Sequence, residues 1–161
     1  MTDRSGSELL WPAEPGAARL YRAVQVACAS GDEFAERVDA GLAAALSFLE
    51  AEPDLTRDLA VLGGDAQAVA AQRRWVHRFG ELLRGAATDL PDASSGPRFR
   101  EPFLIDGIRF QIGRRVLVGE TARLRELRPE LLDLVLAYYR DDRAAGGAST
   151  LVSAEREARS R

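Results

Sequence analysis

The stretch Ser30–Asp54, SGDEFAERVDAGLAAALSFLEAEPD, decides the fold. Its apolar residues Phe34, Val38, Leu42, Ala45, Leu46 and Leu49 recur at steps of three and four, which places them on one stripe of an α-helix. Ser30 and Glu33 have the spacing of a capping box, a hydroxyl for the third helical N–H and a carboxylate that reaches back. The spacing therefore predicts a helix that opens directly after Ser30. Pro53 can open the next helix, because the first turn has no use for the N–H that proline lacks. Leu55, Leu59 and Leu62 give that short helix a face, and Gly63-Gly64 ends it.

The pattern continues on both sides. Upstream, Pro15 can open a helix through Leu20, Val24 and Cys28 that closes near Gly31. Downstream, Asp65 can cap a longer helix carrying Val69, Trp75, Val76, Phe79, Leu82 and Leu83. Thr88–Arg98, with two prolines, a glycine and short polar residues, reads as a loop inside one domain. A helix follows from Pro102 to Gly119. Its apolar positions Ile105, Ile108, Ile112 and Val116 step by three and four, so the β-formers there do not make a strand. Thr121–Arg128 reads as a polar connector, and Pro129 starts a last helix, Glu130–Asp142, with Leu127 and Leu132 placed for a hydrophobic staple. The expected architecture is an all-α helical bundle of about six helices. Residues 1–14 and 144–161 are expected to be loose, and residues 15–143 to form the domain.

Length and composition agree. A chain of 161 residues suits one domain with a real core. Its 46% hydrophobic and 29% charged residues are ordinary for a globular protein. No apolar run approaches the ~18 residues that a membrane span needs. The net charge of −3 argues against a domain that works mainly by gripping nucleic acid. A single cysteine, Cys28, and no apparent secretory signal point to a reducing cytoplasm.

Little here suggests an enzyme. His77 is the only histidine, and Arg73, Arg74 and Arg78 crowd it, so no metal site and no cofactor are expected. Cys28 lacks a histidine or cysteine partner and reads as a small apolar side chain. The arginine stripe Arg73, Arg74, Arg78 and Arg84 reads as a solvated face. The aromatics are more informative. Phe48, Trp75, Phe79, Phe103 and Phe110 come from three long helices and can line one apolar cavity, with His77, Gln72, Arg109 and Gln111 as its polar contributors. Plain core packing is the alternative for each ring.

The last two helices are apolar on most sides, more than one core-facing stripe requires. They are either the central helices of the monomer or an interface. The second reading is the expectation taken forward, with Ile108, Ile112, Val116, Leu132, Val135, Leu136 and Tyr139 as the dimer face.

The order of these features resembles a known family. ERVDAGL (Glu36–Leu42) running into LSFLEAEP (Leu46–Pro53), and the later GETARLRELRPELLDLVLAYYR (Gly119–Arg140), are similar to the sensing domain of TetR-type transcriptional regulators of actinobacterial style. The resemblance covers roughly Ala17–Arg143. It implies a bacterial, cytoplasmic homodimer that binds a small apolar effector between its helices. These regulators also carry a helix-turn-helix module ahead of that domain. Met1–Gly16 is too short for one, and Pro12 and Pro15 interrupt any helix there. Direct nucleic-acid binding is therefore not expected of this chain. An alternative is a structural protein that pairs with an intact regulator and takes no ligand.

Overall fold

The computed structural model describes residues 13–60, 65–90 and 100–140, and every regular element among them is helical. The expectations for residues 1–12, for Leu62 and the Gly63-Gly64 stop, for positions 91–98 of the middle loop and for residues 141–161 lie outside this set. In chain order the elements are α1 (Glu14–Cys28), α2 (Phe34–Ala51), α3 (Pro53–Ala60), α4 (Ala66–Ala86), α5 (Arg100–Leu117), a 3-10 helix (Thr121–Leu127) and α6 (residues 128–140). The architecture is an all-α bundle. At the N-terminal side, Ala13 is already buried and α1 starts at Glu14, so the ordered domain takes in the last two positions expected to be loose.

Local chemistry sets the helix ends. Asp65 caps α4 by accepting the Ala68 N–H at 2.8 Å. α5 stops in a Schellman motif: Gly119 has φ 80°, its N–H donates to Val116 O at 3.0 Å, and the Glu120 N–H donates to Arg115 O at 2.9 Å. The start of α2 differs from expectation. It lies at Phe34, and Glu36 Oε2, three positions beyond Glu33, accepts the N–H groups of Asp32 and Glu33 at 3.0 and 3.3 Å. Ser30 Oγ instead donates to Ala27 O at 2.7 Å and finishes α1. The cause is Arg37, which donates to Gly31 O at 3.2 Å and Asp32 O at 2.5 Å and so holds those residues in a turn. The same guanidinium donates to Ala86 O at 2.8 Å and pairs with Asp89, tying that turn to the end of α4. The pairing holds the Asp89 carboxyl below the usual range.

α2 is the central helix. α1 packs along it, α3, α4 and the 3-10 helix touch it, and α4 lies along α5. Leu46, Leu124, Leu131 and Val135 are wholly enclosed and form the middle of the core. Thr56 is equally buried, and its hydroxyl is satisfied by donating to Leu49 O at 2.6 Å, with Glu52 O 2.9 Å away. Where α4 meets α5, Gly80 sits against Pro102: a Cβ there would lie 2.9 Å from the proline nitrogen. Beside it, Arg84 donates to the buried Glu101 carboxylate at 2.5 Å.

The polar connector of the sequence reading turns out to be core. Leu124 and Leu127 of the 3-10 helix are buried, and its backbone is pinned to α2 by Glu50, which accepts from the Arg125 N–H at 2.7 Å and from Arg125 Nε at 2.5 Å. Arg128 grips Asp39 with both nitrogens, which holds that carboxyl below its ordinary range. α6 then buries Leu131, Val135 and Tyr139, one residue per turn, and the Tyr139 ring meets Phe34 edge-on at 4.8 Å.

This packing corrects the expected dimer face. Ile112, Val135 and Tyr139 are buried in the chain's own core, and Ile108, Val116, Leu132 and Leu136 are half-buried against it. The helix faces they occupy point inward. Among the described residues after α4, the large apolar ones left outside are Phe103 (79% exposed), Phe110 (60%), Leu117 (79%), Val118 and Leu134. Phe103, Phe110 and Leu117 are spaced by seven and share one stripe of α5. Gly107 lies between the two rings, with open space where a side chain would begin.

Candidate functional site

A cavity of about 180 Å³ lies among the helices. It is open to solvent along part of its wall, not sealed. Each helix contributes. α1 supplies Leu20, Val24 and Cys28, α2 supplies Val38, Leu42 and Ala45, and α3 supplies Thr56 and Leu59. α4 presents Gln72, Trp75, Val76, Phe79 and Leu82, α5 presents Ile105, Ile108, Arg109 and Ile112, and α6 adds Val135. The wall is almost entirely hydrocarbon because these positions are the core-facing stripes of their helices, and at small lining residues such as Ala17 and Ala45 little side chain reaches in to fill the space.

The aromatic residues divide. Trp75 and Phe79 line the cavity, and Tyr21 braces both, its ring 5.9 Å from Trp75 and 5.2 Å from Phe79. The other expected lining residues lie elsewhere. Phe48 packs half-buried on the core beneath the Arg19 guanidinium, 5.9 Å from its centroid. Phe103 and Phe110 face outward on α5, and Gln111 is half-buried away from the cavity. His77 stands on the outer face of α4, 3.5 Å from Glu81, at a shallow open hollow shared with Arg73 and Arg74. One turn of helix explains the split. Trp75 and Phe79 are four apart and share a face, whereas His77 is rotated well away from both.

The polar groups of the wall are few. The Thr56 hydroxyl is already bonded within its own helix corner. Burial pushes the Cys28 thiol up from its usual range, so it stays protonated and unreactive. Gln72 is buried and engaged. The Trp75 indole Nε1 is buried with no hydrogen-bond partner among the described residues. Arg109 is the one charged residue among the described lining residues; its side chain is 21% exposed and faces Asp106 at 3.8 Å.

Among the described residues no group of histidine, cysteine and carboxylate side chains could hold a metal ion, and none of the helices is long and apolar enough to cross a membrane. The arginine stripe on α4 is partly structural. Arg84 pairs with Glu101, Arg78 lies over the Trp75 ring at 5.0 Å, and Arg74 reaches Glu14 at 3.7 Å. Sequence reasoning missed the aliphatic share of the wall, Ile105, Ile108 and Ile112 above all. Their periodicity signalled a buried face, but nothing in it separates a face against a cavity from a face against a partner. No protein-family model matches the chain, and no curated protein or solved structure is detectably similar to it.

Proposed function

We propose that this chain is a small-molecule sensing and dimerisation domain of the TetR-regulator type. The observation that carries the reading is the cavity. A bundle built only for support fills its interior to crystal-like density, whereas here about 180 Å³ is left among all six α-helices, walled by hydrocarbon. That is slightly more than the roughly 150 Å³ site that accepts benzene in an engineered protein core. A compact apolar ligand of one ring or a short chain fits such a space.

The outer stripe of α5 supports the dimer half of the reading. Phe103, Phe110 and Leu117 in water form a patch of the kind that marks a contact surface. A second copy brings the same stripe, so a twofold pairing covers both at once. Ile105, Ile108 and Ile112 face the cavity from the same helix, so a ligand that shifts α5 moves the dimer contact with it. In a regulator, that shift is what would be read as signal.

Toluene and indole test the cavity directly. Either should raise the melting temperature, because a ligand that binds only the folded state stabilises it by about 2.7 kcal/mol at a hundred times its Kd. Trp75 fluorescence should change over the same concentrations. An unmoved melting temperature with unchanged fluorescence would refute the sensing role and leave a purely structural partner.

A further inference from the structure

We infer that two copies of this chain pair α5 against α5 antiparallel, about a twofold axis at Phe110, with Asp106 of each copy on the partner's Arg114. The inference rests on the dimer half of the reading above and fixes how the second copy sits.

It follows from the order of residues on the outer face. The exposed residues of α5 are Phe103, Asp106, Phe110, Arg114 and Leu117. Asp106 and Arg114 each lie four positions from Phe110, and Phe103 and Leu117 each lie seven, all on one stripe of the helix. Read from either end, the order is apolar, charged, apolar, charged, apolar, and the two charges are opposite. The apolar positions do not choose a direction. A parallel pair sets Phe103 on Phe103 and Leu117 on Leu117, an antiparallel pair sets Phe103 on the partner's Leu117, and Phe110 meets Phe110 in both. The charges do choose. Parallel pairing sets Asp106 on Asp106 and Arg114 on Arg114, two like-charge contacts that oppose association. Antiparallel pairing replaces them with two contacts between Asp106 and the partner's Arg114, at the same places along the seam. Both groups are available for this. The Asp106 side chain is 57% exposed, and its contact with Arg109 is 3.8 Å long, beyond hydrogen-bond range. Arg114 stands in water. Gly107, next to Asp106, has open space where a side chain would begin, and the stem of the partner's Arg114 takes that space.

The test is sedimentation equilibrium on the full chain at low salt. Asp106→Arg and Arg114→Asp each turn the opposite-charge contacts into like-charge ones, so each should raise the dimer Kd at least about tenfold. The double variant Asp106→Arg/Arg114→Asp should return it to within about threefold of the unaltered chain, and salt should shrink the defect of each single variant. Both positions are exposed, so circular dichroism should show an unchanged fold. In a parallel pair each single reversal would only exchange one like-charge contact for another. Single reversals without effect, or a double variant as weak as the singles, would overturn the antiparallel register and leave the dimer. A monomeric unaltered chain would overturn both. Disulfide trapping in a Cys28→Ala background reads the geometry directly. Asp106→Cys and Arg114→Cys chains should cross-link when mixed and not alone, because like positions sit about 12 Å apart along the antiparallel seam, beyond the ~7 Å that a disulfide spans. Either variant cross-linking by itself, or no cross-link in the mixture, would count against the register.

Discussion

Phe110→Asp and Val135→Asp should fail in opposite ways. Phe110 is 60% exposed on the outer stripe of α5, and Val135 is 1% exposed beside the cavity. A phenylalanine side chain offers about 200 Å² for burial, so Phe110 leaves roughly 120 Å² in water. Covering that area at about 25 cal/mol per Å² is worth about 3 kcal/mol. A twofold interface uses the residue twice, which makes about 6 kcal/mol per dimer, or four orders of magnitude in Kd. Even with a large part of this spent on ordering the interface, Phe110→Asp should weaken the dimer by at least about a hundredfold. The fold should hardly notice, since an exposed substitution usually changes stability by no more than about 0.5 kcal/mol. Val135→Asp removes a core side chain and buries an unpaired carboxylate. Its cost is comparable with the roughly 5–15 kcal/mol that holds a whole domain together. Light scattering and circular dichroism together decide the matter. The unaltered chain should show twice its 17.5 kDa mass at micromolar concentration. Phe110→Asp should show a helical monomer, and Val135→Asp an unfolded or aggregated chain. A monomeric unaltered chain, or a folded Val135→Asp monomer beside an intact Phe110→Asp dimer, would refute the assignment of inner and outer faces.

Two glycines of α4 should behave as opposites. Gly80→Ala puts a methyl 2.9 Å from the Pro102 nitrogen and should destabilise by about 1–2 kcal/mol in urea unfolding, whereas Gly85→Ala meets open space and should stabilise by about 0.5–1 kcal/mol. Gly119→Ala places a Cβ at φ 80° and should lower stability by about 1 kcal/mol, with fraying confined to the end of α5 in hydrogen exchange. The Tyr139 hydroxyl is pushed above the ordinary tyrosine range by burial first and by the Glu101 charge second. The folded state therefore holds that proton more tightly than the unfolded chain, so its contribution is complete below pH ~10 and is lost as pH climbs beyond it. Alkaline unfolding followed by circular dichroism should show this loss, and Tyr139→Phe should flatten it; an unchanged alkaline limb in that variant would show another group to be responsible.

Helices and most of their ends were legible from the sequence because they depend on neighbours a few residues apart. The three-and-four spacing of Phe34, Val38, Leu42 and Leu49, the Asp65 cap and the Gly119 stop need no knowledge of the rest of the chain. The start of α2 was less so. Ser30–Glu33 carries a good local capping signal, and the contacts of Arg37 with Gly31, Asp32 and Ala86, the last from a distant helix, favoured a later start. Periodicity also showed that α5 and α6 have more apolar surface than one core stripe requires. Which face turns inward is a different matter, set by how helices cross. The close approach of Gly80 to Pro102 and the seat of Tyr139 on Phe34 rotate α5 and α6 so that Ile112 and Val135 go in and Phe103 and Phe110 stay out. The same holds for the cavity. Trp75 and Phe79 could be recognised as a pair on one helix face, but the space before them is what remains when all the helices have packed. Volume left over by side chains from six helices is a property of their arrangement, and no single stretch of the chain encodes it.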